Sequence, residues 1–118
     1  MAEIMCPNTV DNKKQIMAVH DAMDILNGKW KISIVAALCL HNKRRFSDIL
    51  SDVSGISNKM LSKELKELEI NKLVNRNVLN TQPVTVEYQL TEYGLKLQTI
   101  INQLADWGRE HRKVIIGK

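Results

Sequence analysis

The sequence predicts a mainly α-helical chain carrying one small β-hairpin, an α+β arrangement, and three observations lead to it. Apolar residues recur at helical spacing over most of the chain, while between Leu73 and Leu90 alone the period drops to two. The stretch Gly55 to Arg76, GISNKMLSKELKELEINKLVNR, runs turn, capped basic helix and strand in immediate succession. At 118 residues the chain reads as one domain, 1–118, able to bury roughly two-thirds of its unfolded surface without a metal or a disulfide.

Residues 1–11 read as a mobile lead-in. Ile16, Val19, Met23 and Leu26 then repeat at helical spacing, and Asn27-Gly28 are residue types that close a helix in a left-handed conformation. Trp30 to Leu40 is apolar on nearly every side, with Trp30, Ile34, Ala37 and Leu38 on one stripe and Ile32, Val35 and Cys39 beside it, so this helix belongs in the middle of a core. The basic cluster Lys43-Arg44-Arg45 precedes Phe46. Ser47 then opens a short helix through Ile49, Leu50 and Val53, and Ser54-Gly55 makes a turn.

The next helix has a fixed start and a fixed inner face. Ser57 is placed as N-cap, Ile56 and Leu61 are spaced as a hydrophobic staple, and Leu61, Leu65 and Leu68 form one apolar seam. Lys59, Ser62, Lys63 and Lys66 share an outward sector roughly 100° wide. Alone, such a helix reads as amphipathic with a solvated lysine face. The pattern after Leu73 changes that reading. Val74, Arg76 and Val78 alternate with Asn75, Asn77 and Leu79, then Val84, Val86, Tyr88 and Leu90 with Thr85, Glu87 and Gln89, around the loop Asn80 to Pro83. A hairpin directly after such a helix is a wing, and turn, helix and wing together are how a helix-turn-helix offers its second helix to the DNA major groove.

Thr91 caps a last helix over residues 91–116 that carries Leu97, Ile101 and Leu104 on one line and Ile100, Leu104 and Trp107 on the next. Either both lines fold onto the core, or the second packs against another copy of the chain. A contiguous exposed patch is unusual on a monomer, which favours the second.

Charge and residue usage narrow the function. Seventeen Lys and Arg against thirteen Asp and Glu give a net charge of +4 and a pI near 9.2, a balance that favours anionic partners. The longest apolar run contains Lys31 and Ser33 and falls far short of the ~20 residues that cross a bilayer. No secretion signal is read at the N-terminus, so a cytoplasmic location is expected. Cys6 and Cys39 form neither a disulfide framework nor a zinc spacing, and His20, His41 and His111 lie on separate elements. No phosphate-binding loop or nucleophile elbow is present, so neither catalysis nor a cofactor is expected.

On these residues the chain resembles the HxlR-type (MarR-like) winged helix-turn-helix transcriptional regulators of bacteria. The likeness runs from Cys6-Pro7 to His111 through Gly28-Lys29-Trp30, Arg44-Arg45-Phe46, Ile56-Ser57, Met60-Leu61-Ser62, Leu68-Glu69, Leu73-Val74, and Val86-Glu87-Tyr88-Gln89-Leu90-Thr91 with Gly94. The resemblance implies a homodimer built from the first helix (Ile16, Val19, Met23) and the last (Leu97, Ile100, Ile101, Leu104, Trp107), bound to an inverted-repeat operator in double-stranded DNA. It places recognition-helix contacts on Ser57, Asn58, Lys59, Met60, Ser62, Lys63 and Lys66, and wing contacts on Arg76, Asn80, Thr81, Gln82 and Thr85. Between Asn77 and Thr85 the wing has no Lys or Arg, so its contacts are expected to be hydrogen bonds rather than ion pairs. Several members sense electrophiles or oxidants through an N-terminal cysteine, the place Cys6 holds here; an inert thiol at a frayed terminus is the other reading. Two alternatives stay open: a regulator responding to a non-covalent small ligand, and a winged helix used only for protein–protein docking.

Overall fold

The computed structural model describes residues 9–117, with side chains from residue 12 onward. The order is α1 (Thr9–Ile25), α2 (Gly28–His41), β1 (Lys43–Arg45), α3 (Phe46–Asp52), α4 (Asn58–Ile70), β2 (Val74–Leu79), β3 (Thr85–Leu90), α5 (Glu92–Leu95) and α6 (Leu97–Ile116). The strands form a three-stranded antiparallel sheet in the order β1-β3-β2. α1 already begins at Thr9, inside the stretch expected as lead-in.

Burial organises these elements around α2 and α4. Ile34, Val35 and Leu38 from α2, Ile49 from α3, Leu61, Leu65 and Leu68 from α4, and Val74 from β2 are sealed from solvent. Each such aliphatic side chain contributes about 1.5–3 kcal/mol by leaving water. The expected leucine seam of α4 is thus its inner face, and α2 lies at the centre of the core. One residue breaks the apolar pattern: Lys31 of α2 is buried, 2% exposed. Its ammonium meets Glu64 and Glu67 of α4, each at 2.6 Å.

Three local features depart from the sequence expectations. Lys43–Arg45 is a strand, pairing antiparallel with β3 through Lys43 with Gln89, Arg44 with Tyr88 and Arg45 with Glu87. Three consecutive basic residues carry no alternation to read; the open edge of β3 supplies the strand's hydrogen bonds. α3 starts at Phe46 rather than Ser47, its entry tied by the Arg45 N–H donating to Asp48 Oδ2 at 3.2 Å. The last helix is divided at Lys96 into α5 and α6. The Thr91 hydroxyl accepts from the Gly94 N–H and donates to the Lys72 carbonyl, both at 2.8 Å, which docks α5 on the turn leaving α4.

That turn closes α4 tightly. Lys72 stands at φ 65°, its N–H donates to the Glu69 carbonyl, and the Leu73 N–H donates to the Leu68 carbonyl at 3.0 Å. This paired arrangement satisfies carbonyls that a helix end would otherwise leave open. It directs the chain straight into β2, so the wing starts at a fixed position relative to α4.

α1 and α6 stand apart from this body. No described side chain of α1 or α6 is buried, and Ile16, Val19, Met23, Ile100, Leu104 and Trp107 are each about half exposed or more. Only Leu97 and Ile101 of α6 pack against the core. The radius of gyration is 17.2 Å, against about 13.5 Å for a compact chain of this length. No helix among the described residues is long and apolar enough to cross a membrane.

Candidate nucleic-acid interface

The N-terminus of α4 is set by Ser57, extended at φ −82°, whose Oγ accepts the Met60 N–H at 3.1 Å. Ile56 before it and Leu61 after it are both buried, so the entry of the helix is anchored from its apolar side. Lys59, Ser62, Lys63 and Lys66 consequently point to solvent, as do Ser57 and Asn58. Met60 differs from its expected neighbours: it is half-buried and packs against the core.

The sheet brings a fourth cation to this face. Arg76 of β2 lies opposite Tyr88 of β3, and Ser62, Lys66, Glu69, Arg76 and Tyr88 line one groove of about 260 Å³ between helix and wing. Sequence reasoning placed Ser62, Lys66 and Arg76 together. It missed Tyr88 and Glu69, because only the strand register puts Tyr88 across from Arg76. Among the described residues no carboxylate lies within ion-pair reach of Lys59, Lys66 or Arg76, whereas Lys63 reaches Glu67 Oε2 at 3.4 Å.

The wing tip is held by its own polar groups. The Thr81 hydroxyl lies 2.6 Å from the Pro83 carbonyl and 2.9 Å from Thr85 Oγ1. Asn80, Thr81 and Gln82 are exposed and Thr85 is half-buried, at the far end of the hairpin from the Arg76 groove. Across the sheet, next to Tyr88, Arg44 of β1 forms a two-pronged bond to Asp52 at 2.9 and 2.8 Å. That bond holds the Asp52 carboxyl below the usual carboxylate range and leaves Lys43 and Arg45 as the exposed cations of β1.

Ion pairing under α4 also moves the titration of Lys31 and Glu67. Burial acts to lower the Lys31 pKa, but the hydrogen bonds and charges of Glu64 and Glu67 outweigh it, and the net shift is upward. The Lys31 hydrogen bond is the chief reason that the Glu67 carboxyl is held below its ordinary value. Cys39 is half-buried in a groove between α2 and α6, and burial pushes its thiol up. Cys6 lies outside the described residues. Among the described residues no cluster of His, Cys, Asp and Glu is placed to hold a metal.

A family model described as HxlR-like helix-turn-helix matches residues 25–115. The chain belongs to this family. HxlR-like proteins are transcriptional regulators and not enzymes, and the chain is a DNA-binding regulator of the winged helix-turn-helix type. It is 37% identical over 108 residues to the HTH-type transcriptional regulator YtcD of Bacillus subtilis (strain 168), covering 92% of this chain and 85% of YtcD. It is 36% identical over 107 residues to the HTH-type transcriptional regulator YodB of the same organism, covering 91% and 86%. Among solved structures it is similar to the redox regulator HypR in its reduced form, with a TM-score of 0.77, 34% identity, and 86% and 99% of the two chains covered. The HxlR-like fold accounts for the α4 and wing geometry directly: the α3–α4 pair is the helix-turn-helix and β2–β3 the wing.

Proposed function

We propose that this regulator binds an inverted-repeat operator as a homodimer, with α4 in the major groove and the β2–β3 wing along the adjacent backbone. The observation that carries the reading is the shared solvent-facing surface of Lys59, Ser62, Lys63 and Lys66 with Arg76, whose start Ser57 fixes. The lysines and Arg76 supply phosphate contacts or guanine readout, Ser57, Asn58 and Ser62 reach base edges or backbone, and Met60 contributes only its outer edge. Asn80, Thr81, Gln82 and Thr85 add neutral contacts at the wing tip. The exposed apolar faces of α1 and α6 support the two-fold pairing through Ile16, Val19, Met23, Ile100, Leu104 and Trp107, with Leu97 and Ile101 joining the pair to the core. A gel-shift assay on the DNA upstream of its own gene tests the reading: a retarded band lost on Lys59→Ala, Lys63→Ala and Lys66→Ala together supports it. A protein-only docking module would give no band.

For the signal, we propose Cys6 as the redox or electrophile switch. The support is the N-terminal place of Cys6 and the likeness to a redox regulator, HypR, and to YodB, whose diamide-treated form is known as a structure. Treatment with diamide should modify Cys6 before the half-buried Cys39 and change operator affinity, and Cys6→Ser should bind DNA without responding. A second reading, a non-covalent apolar ligand, is favoured by one observation. A cavity of about 200 Å³ opens between the end of α1 and the α5–α6 junction, lined by Ala22, Leu26, Leu73, Tyr93, Leu97 and Ile100 among others. A response that persists in Cys6→Ser selects that reading.

A further inference from the structure

Directly behind the DNA-facing side of α4, four charged side chains form a chain from the core to the surface. Lys31 sits innermost, its Nζ 2.6 Å from Glu64 Oε1, 2.6 Å from Glu67 Oε1 and 3.3 Å from Asn27 Oδ1. An ammonium has three N–H donors, and here three acceptors take them, so the group is fixed in place. Glu67 stands at the boundary and divides its oxygens: Oε1 faces Lys31, while Oε2 faces Lys63 at the longer distance of 3.4 Å. Lys63 is outermost, with 63% of its side chain exposed, against 3% for Lys31.

We propose that Lys31 is a positioning residue for DNA binding, a buried counter-ion that occupies Glu67 and so leaves Lys63 available to a phosphate. The proposal rests on the reading of the α4 face as the DNA surface. An uncompensated carboxylate one turn from Lys63 would capture its ammonium and set a negative charge beside the approaching backbone. With Lys31 present, Glu67 already holds a shorter bond to a cation that cannot leave, and Lys63 exchanges only its weaker, solvated contact for a phosphate. Glu64 completes the arrangement: it keeps Lys31 charged and anchored between α2 and α4 whether or not Lys63 has moved.

Fluorescence anisotropy on a labelled duplex from the region upstream of its own gene, titrated over a range of salt concentrations, tests this. The informative variant is Lys31→Met with Glu64→Met, which removes the buried pair as a unit and strands neither charge. Glu67 should then hold Lys63: affinity falls about five- to tenfold per subunit at roughly 0.1 M salt, and the salt slope drops by about one per subunit. Adding Glu67→Gln should restore both affinity and slope, which repair of a purely structural defect would not do. A double variant with the wild-type slope, or one that Glu67→Gln fails to rescue, overturns the proposal. If the double variant does not fold, Glu67→Gln alone decides: it leaves Lys31 on Glu64 and Lys63 as available as before, so the salt slope should keep its wild-type value, whereas a slope larger by about one per subunit would show that Glu67 holds Lys63 in the wild type and overturns the proposal. A wild-type protein that binds no DNA would refute the DNA reading itself, and the proposal with it.

Discussion

Gly94 of α5 lies so close to Leu73 that a Cβ built on it would stand 2.2 Å from the Leu73 carbonyl oxygen. Leu73 begins the path from α4 into the wing, and its carbonyl also accepts the Thr91 N–H at 3.0 Å. The contact therefore joins three things at one point: the end of the recognition helix, the start of the wing, and the root of α6. Gly94→Ala must push that backbone apart, at a cost of about 2–3 kcal/mol. Urea denaturation checks it. A midpoint unchanged from wild type would mean that the approach of α5 to Leu73 is not tight.

Lys31 and Glu64 give a second stability prediction. Removing Lys31, as Lys31→Ala, strands the buried Glu64 carboxylate and should cost about 3–5 kcal/mol, whereas Glu64→Ala leaves Lys31 on Glu67 and should cost less. Replacing both with Met should return the protein to within about 1 kcal/mol of wild type, because well-packed apolar groups then fill the site. Equal losses in the single and double variants would contradict this.

Asp52 and Glu67 govern the acid side of stability. Both carboxyls have folded pKa values below the ordinary ones, Asp52 chiefly through the Arg44 hydrogen bond and Glu67 chiefly through that of Lys31. A depressed folded pKa stabilises the protein above the unfolded carboxylate value of about 4 and loses that contribution as pH falls through the folded value. Lys31 works at the other end. Its raised pKa contributes fully below the unfolded lysine value of about 10.4 and loses the contribution as pH rises through the folded value. Urea midpoints measured from pH 6 downward should fall, and Asp52→Asn should flatten the descent while lowering the plateau. A descent of wild-type steepness in that variant would locate the acid sensitivity elsewhere.

Trp107 tests the dimer. It is 63% exposed within one chain, stacked on His111 with ring centroids 4.9 Å apart, and lies on the outward line of α6. Sedimentation should give about 27 kDa, twice the chain mass, and Trp107→Glu combined with Leu104→Glu should give the single-chain mass without unfolding the winged helix. A wild-type monomer at micromolar concentration would remove α1 and α6 as the pairing surface.

Much of this was legible in the residues. The Ser57 cap, the Leu61–Leu65–Leu68 seam and the outward lysines of α4 are consequences of spacing alone, because each depends on neighbours within a turn or two. The same holds for the change of period that marks β2 and β3. Lys31 was hidden for the opposite reason: its partners stand 33 and 36 residues away, and no local pattern shows that a lysine in an apolar run is neutralised across the core. β1 exists because β3 has a second edge, a fact of the assembled sheet. The division of the last helix at Lys96 depends on Gly94 meeting Leu73, again a contact between distant parts of the chain. Tyr88 and Glu69 entered the Arg76 groove only once strand register and helix placement were set together.

The central claim, that α4 and the wing meet DNA through the Lys59, Lys63, Lys66 and Arg76 surface, is tested most directly by the salt dependence of binding. Affinity for the duplex upstream of its own gene should be measured as a function of salt for the wild type and for each of the four Ala variants. Each residue that contacts a phosphate should lower the slope by about one per subunit when removed, whereas Ser62→Ala and Asn58→Ala should alter sequence preference with the slope retained. Slopes and affinities identical to wild type in all four variants would place the DNA surface on another face of the molecule.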